Sequence, residues 1–277
     1  MEDDTYEKQQ LGPPERGERS LLGLGWNTER DTLRVVVPEE KTVMTKRGVL
    51  AKLAKLYDPL GLVSPITLSG KIIYPAVCDE KIAWDAPIPE TLVKKWGKWE
   101  SALPKKVKIP RSLPVYREEI QNIDLHAFGD ASADGVAACV YAVVQQPQGT
   151  NQGLVAAKAR LSKKGLTIPR LELVAWHMAV NLATNVRAAV QGFPIQRTCC
   201  WLDSTVVLYG IGDYKQFVAN RVREINSHQG ATWRHVPMGR NPADLASRGG
   251  GNLKDARHGP EWLSNPESWP ADIVHRT

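Results

Sequence analysis

The most constraining feature of the sequence is an unbroken apolar run over residues 136–144. A short run without polar alternation is typical of a central strand covered on both faces, because a strand with one face in water alternates instead. Other strand-like stretches lie on either side of it, at residues 125–129, 154–161, 198–202 and 232–236. The run therefore predicts a sheet buried between other layers of structure.

Helical patterns follow the third predicted strand. The clearest covers residues 171–190, and Thr167 and Pro169 are typical residues for its beginning. A second helix is predicted over residues 217–228. Three leading strands followed by helix and strand in alternation predict an α/β domain over residues 121–250, with a mixed sheet flanked by helices.

The remainder of the chain divides by composition. Residues 1–20 are polar and charged, which predicts a disordered tail. Residues 21–114 suggest a smaller α+β segment, with a strand pair and then helices, the first capped by Thr45. Residues 103–122 contain several prolines and mixed charges and read as a linker. Residues 251–277 are expected to form a further tail.

Charge and cysteine usage narrow the class of protein. The formal net charge is +6 and the pI is near 9.1, which suits a polyanionic partner. No apolar run is long enough to span a membrane, and the acidic start lacks a secretory signal, so an intracellular location, cytoplasmic or nuclear, is expected. The four cysteines lack metal-binding spacing, which predicts buried, unreactive thiols.

Four acidic residues stand at the ends of predicted elements. They are Asp130 after the first strand, Glu172 in the first turn of the long helix, Asp203 after the fourth strand and Asp244 at a short helix. Each alone has an ordinary explanation as a turn residue, a helix cap or a first-turn acid. If strands one and four are parallel neighbours, Asp130 and Asp203 lie side by side. Carboxylates gathered in this way repel, and two Mg²⁺ ions would remove the repulsion.

The motifs around these acids resemble the ribonuclease H domain of retroelement polyproteins, and most of all that of the BEL/Pao group of LTR retrotransposons. They are Gly129-Asp130-Ala131-Ser132, Thr167-Ile168-Pro169-Arg170-Leu171-Glu172-Leu173, Trp201-Leu202-Asp203-Ser204-Thr205, Phe217-Val218-Ala219-Asn220-Arg221-Val222, Arg234-His235-Val236-Pro237 and Asn241-Pro242-Ala243-Asp244. The resemblance implies a ribonuclease H-like five-stranded mixed sheet and an endonuclease that hydrolyses the RNA strand of RNA–DNA hybrids.

The resemblance also implies roles for individual residues. It makes the catalytic metal ligands Asp130, Glu172, Asp203 and Asp244, which would hold two Mg²⁺ ions, with Mn²⁺ able to substitute. His235 matches a histidine proposed to assist proton transfer or product release, and the alternative is an ordinary half-buried histidine at a strand end.

The sequence departs from its relatives just before Glu172. Many relatives carry Asn or Gln there, at a contact with 2′-hydroxyls that helps to select a hybrid. This chain has Ile168-Pro169-Arg170 instead and so departs from the family at that contact. Basic residues beside the site suit phosphate binding, and the alternative is a solvated loop. They are Lys158, Arg160, Lys163, Lys164 and Arg170.

The flanking segments extend the resemblance to about residues 21–250. Thr45-Lys46-Arg47 and Tyr57-Asp58-Pro59-Leu60-Gly61 are similar to the thumb or connection segment that joins a reverse transcriptase palm to its ribonuclease H domain. The tail 251–277 is similar to the run towards an integrase. A Tyr-x-Asp-Asp palm motif does not occur, so the expected protein partner is a palm and fingers region outside this sequence.

Other functions fit the residues less well. An integrase would place its glutamate last, and a proofreading exonuclease would have Asp-x-Glu on the first strand. Asp130-Ala131-Ser132 and Asp203-Ser204-Thr205 lack the glycine of an aspartic protease, so a Pao peptidase family name would carry no peptidase chemistry here. A retroelement remnant that binds nucleic acid without cutting it stays open as the alternative.

Overall fold

The computed structural model describes residues 17–21, 23–203, 230–250 and 252–271. The chain divides into two compact units. The first comprises Met1–Pro59 and Ser69–Ser112, and the second comprises Leu60–Leu68 and Leu113–Thr277. The domain limits expected from the sequence stay predictions, although residues 60–68 belong with the later unit and not with the segment 21–114.

The first unit contains a four-stranded antiparallel sheet in the order β1-β2-β3-β4. Its strands are β1 Glu18–Leu21, β2 Leu24–Asn27, β3 Thr32–Val36 and β4 Lys106–Pro110. Between β3 and β4 the chain forms α1 Lys46–Lys55, α2 Ser64–Asp79, which belongs to this unit from Ser69 onwards, and α3 Glu90–Ser101. Thr45 caps α1 as predicted, because its side chain accepts a hydrogen bond from the Gly48 N–H. Trp96 and Trp99 of α3 lie in a buried apolar cluster with Val49 and Leu53 of α1.

Two sequence predictions for this unit were wrong. Residues 103–122 are not simply a linker, because Val107 and Ile109 are buried in β4 and alternate with exposed neighbours. The alternation of apolar residues outweighs the nearby prolines, and Pro110 is the last residue of the strand. The segment 1–20 was predicted to be disordered, but its last residues belong to β1, which pairs with β2. The turn between these strands contains Gly23, whose positive φ of 74° is a conformation that glycine adopts easily.

The second unit contains a five-stranded sheet in the order β7-β6-β5-β8-β9. Its strands are β5 Asn122–Ala131, β6 Gly135–Gln146, β7 Gly149–Leu161, β8 Ile195–Leu202 and β9 Thr232–His235. The first three strands pair antiparallel, whereas β5–β8 and β8–β9 pair parallel. The predicted mixed sheet is therefore confirmed, and its apolar run lies in β6, with β5 and β7 on either side. The predicted helix over residues 217–228 lies outside the described residues.

Both faces of this sheet are covered. Helix α4, Ile168–Ala189, packs on one face through apolar residues that include Leu171, Ala175 and Ala179. The other face carries an aromatic cluster, formed by Phe128, Tyr141, Trp201, Trp262 and Trp269. Two of these aromatic residues come from the segment 251–277, which was expected to be only a tail.

The described part of that segment is folded. After the short helix α5, Asp244–Arg248, this segment forms helix α6, Leu253–His258, and two 3₁₀ turns, Glu261–Ser264 and Pro266–Ser268. The Tyr141 hydroxyl donates to the Ala256 carbonyl at 2.6 Å, and Leu263 is buried. Because residues such as Leu263 are buried against the sheet, this segment is part of the second unit.

Three of the four predicted buried thiols are buried, at Cys139, Cys199 and Cys200. Cys78 is exposed near the end of α2, so its prediction was wrong, because the helix turns this position away from the apolar core that buries Val77. Within the described ranges, no helix is long and apolar enough to cross a membrane.

Candidate active site

Asp130 and Asp203 occupy equivalent positions on two adjacent parallel strands. Phe128 of β5 pairs with Trp201 of β8, and each acid lies two residues further along its strand direction. Asp130 is buried and Asp203 is half-buried, and the carboxyl group of Asp203 helps to raise the pKa of Asp130. The sequence argument that parallel neighbours would bring these two acids together agrees with this geometry.

Burial dominates the electrostatics of Asp130. It raises the pKa of the Asp130 carboxyl from 3.8 to about 7, and the nearby carboxylates of Asp203 and Asp244 act in the same direction. The hydroxyl of Ser247 donates a hydrogen bond to Asp130 Oδ2 and partly opposes the shift. Protonation of Asp130 would therefore reduce the repulsion between these neighbouring carboxylates.

Asp244 is the first residue of α5. Its carboxylate accepts a hydrogen bond from the Arg248 guanidinium one turn later on the same helix, and this ion pair is largely exposed. The same helix carries Ser247, whose hydroxyl bonds Asp130, so α5 brings Asp244 near the first acid, where its carboxylate acts to raise the pKa of Asp130.

Glu172 lies one turn further into its helix than the sequence suggested. Helix α4 begins at Ile168, with proline at the second position, so Glu172 is beyond the first turn and its helix has no first-turn acid. The backbone of α4 packs directly on β5, since a Cβ atom at Gly129 would lie 2.8 Å from the Ala175 carbonyl oxygen. Glu172 stands one turn before Ala175, on the part of the helix that approaches the strand carrying Asp130.

No three Asp, Glu, His or Cys side chains in the described ranges form a group able to hold one metal ion. Asp130, Asp203 and Asp244 interact electrostatically, whereas no hydrogen bond or ion pair joins Glu172 to them in the part of the chain that the structure describes. The shared four-acid metal site stays a prediction.

His235 ends β9 beside the candidate acids. It pairs in register with Leu202, the residue before Asp203, and the Val236 N–H donates to the Leu202 carbonyl at 2.7 Å. The imidazole is half-buried. The strand pairing brings His235 to the sheet end that carries Asp203, and its catalytic role stays a prediction.

The predicted basic residues lie at the same end of the sheet. Lys158 and Arg160 are exposed on β7, which is two strands from β5, or about 10 Å at normal strand spacing. Lys163 and Lys164 are exposed in the following turn, and Arg170 is half-buried in the first turn of α4. Their position suits contact with a polyanion that reaches Asp130, and their binding role stays a prediction.

Sequence reasoning missed two residues that contact the acids. Asn241 is buried, and its side-chain amide donates to Asp203 Oδ2 at 3.2 Å and to the Gly129 carbonyl at 2.9 Å. Ser247 is fully buried and bonds Asp130. The available signal was a small polar residue on the same side as Asp244 in a short helix, which is too common to identify a role by itself.

Comparison with known families decides where the chain belongs. A family model of the Pao retrotransposon-like RNaseH-like domain matches residues 45–204, more than half of the chain. The chain belongs to this family. The match contains Asp130, Glu172 and Asp203 and begins within the first unit, at the helix-capping Thr45. The five-stranded mixed sheet is the ribonuclease H-like fold that the motifs implied.

Solved ribonucleases H show more distant likenesses. RNase H1 from the halophilic archaeon Halobacterium salinarum is 22% identical, with a TM-score of 0.30 and coverage of 49% of this chain and 96% of that chain. LC11-RNase H1 in complex with an RNA/DNA hybrid is 14% identical, with a TM-score of 0.29 and coverage of 44% and 91%. The N-terminal RNase H domain of rv2228c from Mycobacterium tuberculosis is 15% identical, with a TM-score of 0.29 and coverage of 46% and 93%. No curated protein sequence matches this chain.

Proposed function

We propose that the chain is a metal-dependent ribonuclease H that hydrolyses the RNA strand of RNA–DNA hybrids for a Pao-type retrotransposon. The observation that carries this proposal is the pairing of Asp130 and Asp203 at adjacent parallel strand ends, in a chain of an RNaseH-like family. The proposed partners are the hybrid and a reverse transcriptase that produces it. An intracellular location is part of the proposal.

The acids present fit divalent metal ions. Asp130 is buried, and the nearby carboxylates of Asp203 and Asp244 add to the effect of burial in raising its pKa, so a positive charge bound there would be stabilising. Carboxylate oxygens are the ligands that Mg²⁺ prefers, and a cation would allow the carboxylates to ionise together. The residues proposed to hold two Mg²⁺ or Mn²⁺ ions are Asp130, Glu172, Asp203 and Asp244. Bound there, the ions would activate water and stabilise the leaving 3′ oxygen.

The remaining residues would bind and orient the substrate. Exposed lysines and arginines on β7 and in the following turn would hold the phosphates of the hybrid, since such contacts position a duplex without reading its sequence. The imidazole of His235 would carry a proton to or from the reacting phosphate, because β9 ends beside Asp203.

The direct test is cleavage of an end-labelled RNA–DNA hybrid by the purified chain with and without Mg²⁺. We expect the wild type to cut only the RNA strand. We expect the Asp130→Asn and Asp203→Asn variants to lose this activity while their circular dichroism spectra stay unchanged. Double-stranded RNA and DNA of the same sequence serve as substrate controls. Equal cleavage by wild type and both variants would refute the assignment.

A second candidate function is hybrid binding without cleavage. It is favoured by the exposed basic residues near Asp130, which suit phosphate contacts whether or not the strand is cut. Hybrid binding that is tight and independent of Mg²⁺, with no product after prolonged incubation, would support this candidate over the nuclease.

A further inference from the structure

One short segment, residues 241–248, supplies a hydrogen-bond donor to three of the candidate acids. The bonds run from Asn241 Nδ2 to Asp203 Oδ2, from Ser247 Oγ to Asp130 Oδ2 and from Arg248 Nε to Asp244 Oδ1. Asn241 and Ser247 are buried and uncharged, whereas Arg248 is exposed. A neutral donor can orient a carboxylate without repelling a cation that the same carboxylate binds.

Ser247 is fixed at both its side chain and its backbone. The residue is fully buried, and its single hydroxyl proton can go to the Asp130 carboxyl or to the Asp244 carbonyl at 3.2 Å. The Asp130 oxygen is the nearer acceptor and the stronger one when ionised. The Ser247 carbonyl in turn accepts a hydrogen bond from the Ser132 hydroxyl at 2.7 Å. This second bond joins α5 to the chain immediately after Asp130.

Asn241 links the two strands that carry the acids. One of its two amide protons goes to the Gly129 carbonyl of β5 and the other to Asp203 after β8. The Ala243 N–H donates to Asn241 Oδ1 at 3.1 Å, which fixes the orientation of the amide group. The residue before Asp130 and the carboxylate of Asp203 are therefore held by one side chain.

We propose that Ser247 and Asn241 are positioning residues, whose neutral hydrogen bonds hold Asp130 and Asp203 in the geometry that binds the metal ions. This inference rests on the proposed metal-dependent function. Each donor occupies one oxygen of its carboxylate and leaves the other oxygen for a ligand. Loss of such a partner behind a metal ligand weakens metal affinity by about 10-fold to 100-fold.

The test is Mn²⁺ affinity of the full chain, measured from the free-ion electron paramagnetic resonance signal without nucleic acid. Ser247→Ala should weaken binding about tenfold, and Ser247→Thr, which keeps the hydroxyl, should restore most of the loss. Ser264→Ala is the control, because that hydroxyl donates to the Glu261 carbonyl and contacts none of the candidate acids among the described residues. Ser247→Cys keeps nearly the same volume with a weak donor and serves if the alanine variant does not fold.

Cleavage measured in parallel separates this inference from the proposed function. Under the proposal, Ser247→Ala needs more Mg²⁺ to reach half its maximal rate but keeps most of that rate at saturating Mg²⁺. Unchanged Mn²⁺ affinity in Ser247→Ala or Ser247→Cys, or no Mn²⁺ binding by the wild type, would overturn the positioning role. A wild type that binds Mn²⁺ but never cuts the hybrid, with weaker binding in Ser247→Ala, would support the positioning role and refute the nuclease.

Discussion

The buried histidine His126 should make the folding stability of the second unit fall as the pH is lowered. It is completely buried in β5, where its Nδ1 accepts a hydrogen bond from Trp201 Nε1 at 3.1 Å and Trp269 packs edge-on at 5.2 Å. Its Nε2 has no hydrogen-bond partner in the described part of the chain. Burial, and then the positive charges of Arg197 and Arg234, lower the pKa of His126 from 6.5 to about 3.

The sign and size of the effect follow from proton linkage. Between pH 6.5 and about 3, the unfolded chain binds a proton at His126 and the folded chain does not. Stability from this group is therefore complete above pH 6.5 and is lost progressively as the pH falls. At about 1.4 kcal/mol per pH unit, the loss at pH 5 is about 2 kcal/mol.

The perturbation is His126→Asn, whose side-chain oxygen can still accept from Trp201 but which does not titrate. Urea unfolding, followed by tryptophan fluorescence and circular dichroism, gives the free energy of unfolding at pH 7 and pH 5. The wild type should lose about 2 kcal/mol more than the variant over this interval. The exposed His258→Asn variant controls for the removal of a histidine. Parallel pH profiles for the wild type and His126→Asn would refute this reasoning.

Three further predictions concern the site and the fold. Asp130→Asn should abolish Mg²⁺-dependent cleavage in a gel assay while leaving circular dichroism unchanged, because it removes a proposed ligand without changing side-chain size. Lys163→Ala combined with Lys164→Ala should reduce the salt dependence of hybrid binding: the slope of log K, the association constant, against log salt concentration should fall in magnitude by nearly one unit for each lost phosphate contact. The measurement is hybrid affinity over a salt series, and an unchanged slope would mean that this turn is solvated and does not contact the hybrid. Trp262→Ala should lower the free energy of unfolding, measured by urea titration, by about 3–5 kcal/mol, because it opens a cavity in the aromatic cluster. A loss below about 1 kcal/mol would mean that the last segment contributes little to the stability of the fold.

The sequence was most informative where local pattern and tertiary structure agree. The apolar run predicts the buried strand β6, and the short stretches within β5 and β8 are mostly apolar. Parallel pairing of β5 with β8 then places Asp130 beside Asp203. Boundaries were less predictable. The start of α4 was placed three residues late, since Ile168 and Pro169 look like a turn until the helix that follows them is known.

The unpredicted features depend on contacts between residues far apart in sequence. Val107 and Ile109 alternate like strand residues, but prolines on both sides made a linker the simpler interpretation until β3 was available to pair with them. Trp262 lies among short turns with no periodicity, so only the face of the sheet that it covers explains its burial. Ser247 is a similar case at the site. A serine three residues after an acid is a common pattern, and its role is visible only from its hydrogen bond to Asp130, which lies more than a hundred residues earlier in the sequence. The acids could be identified from sequence motifs, whereas the residues that form hydrogen bonds with them could be identified only from the three-dimensional structure.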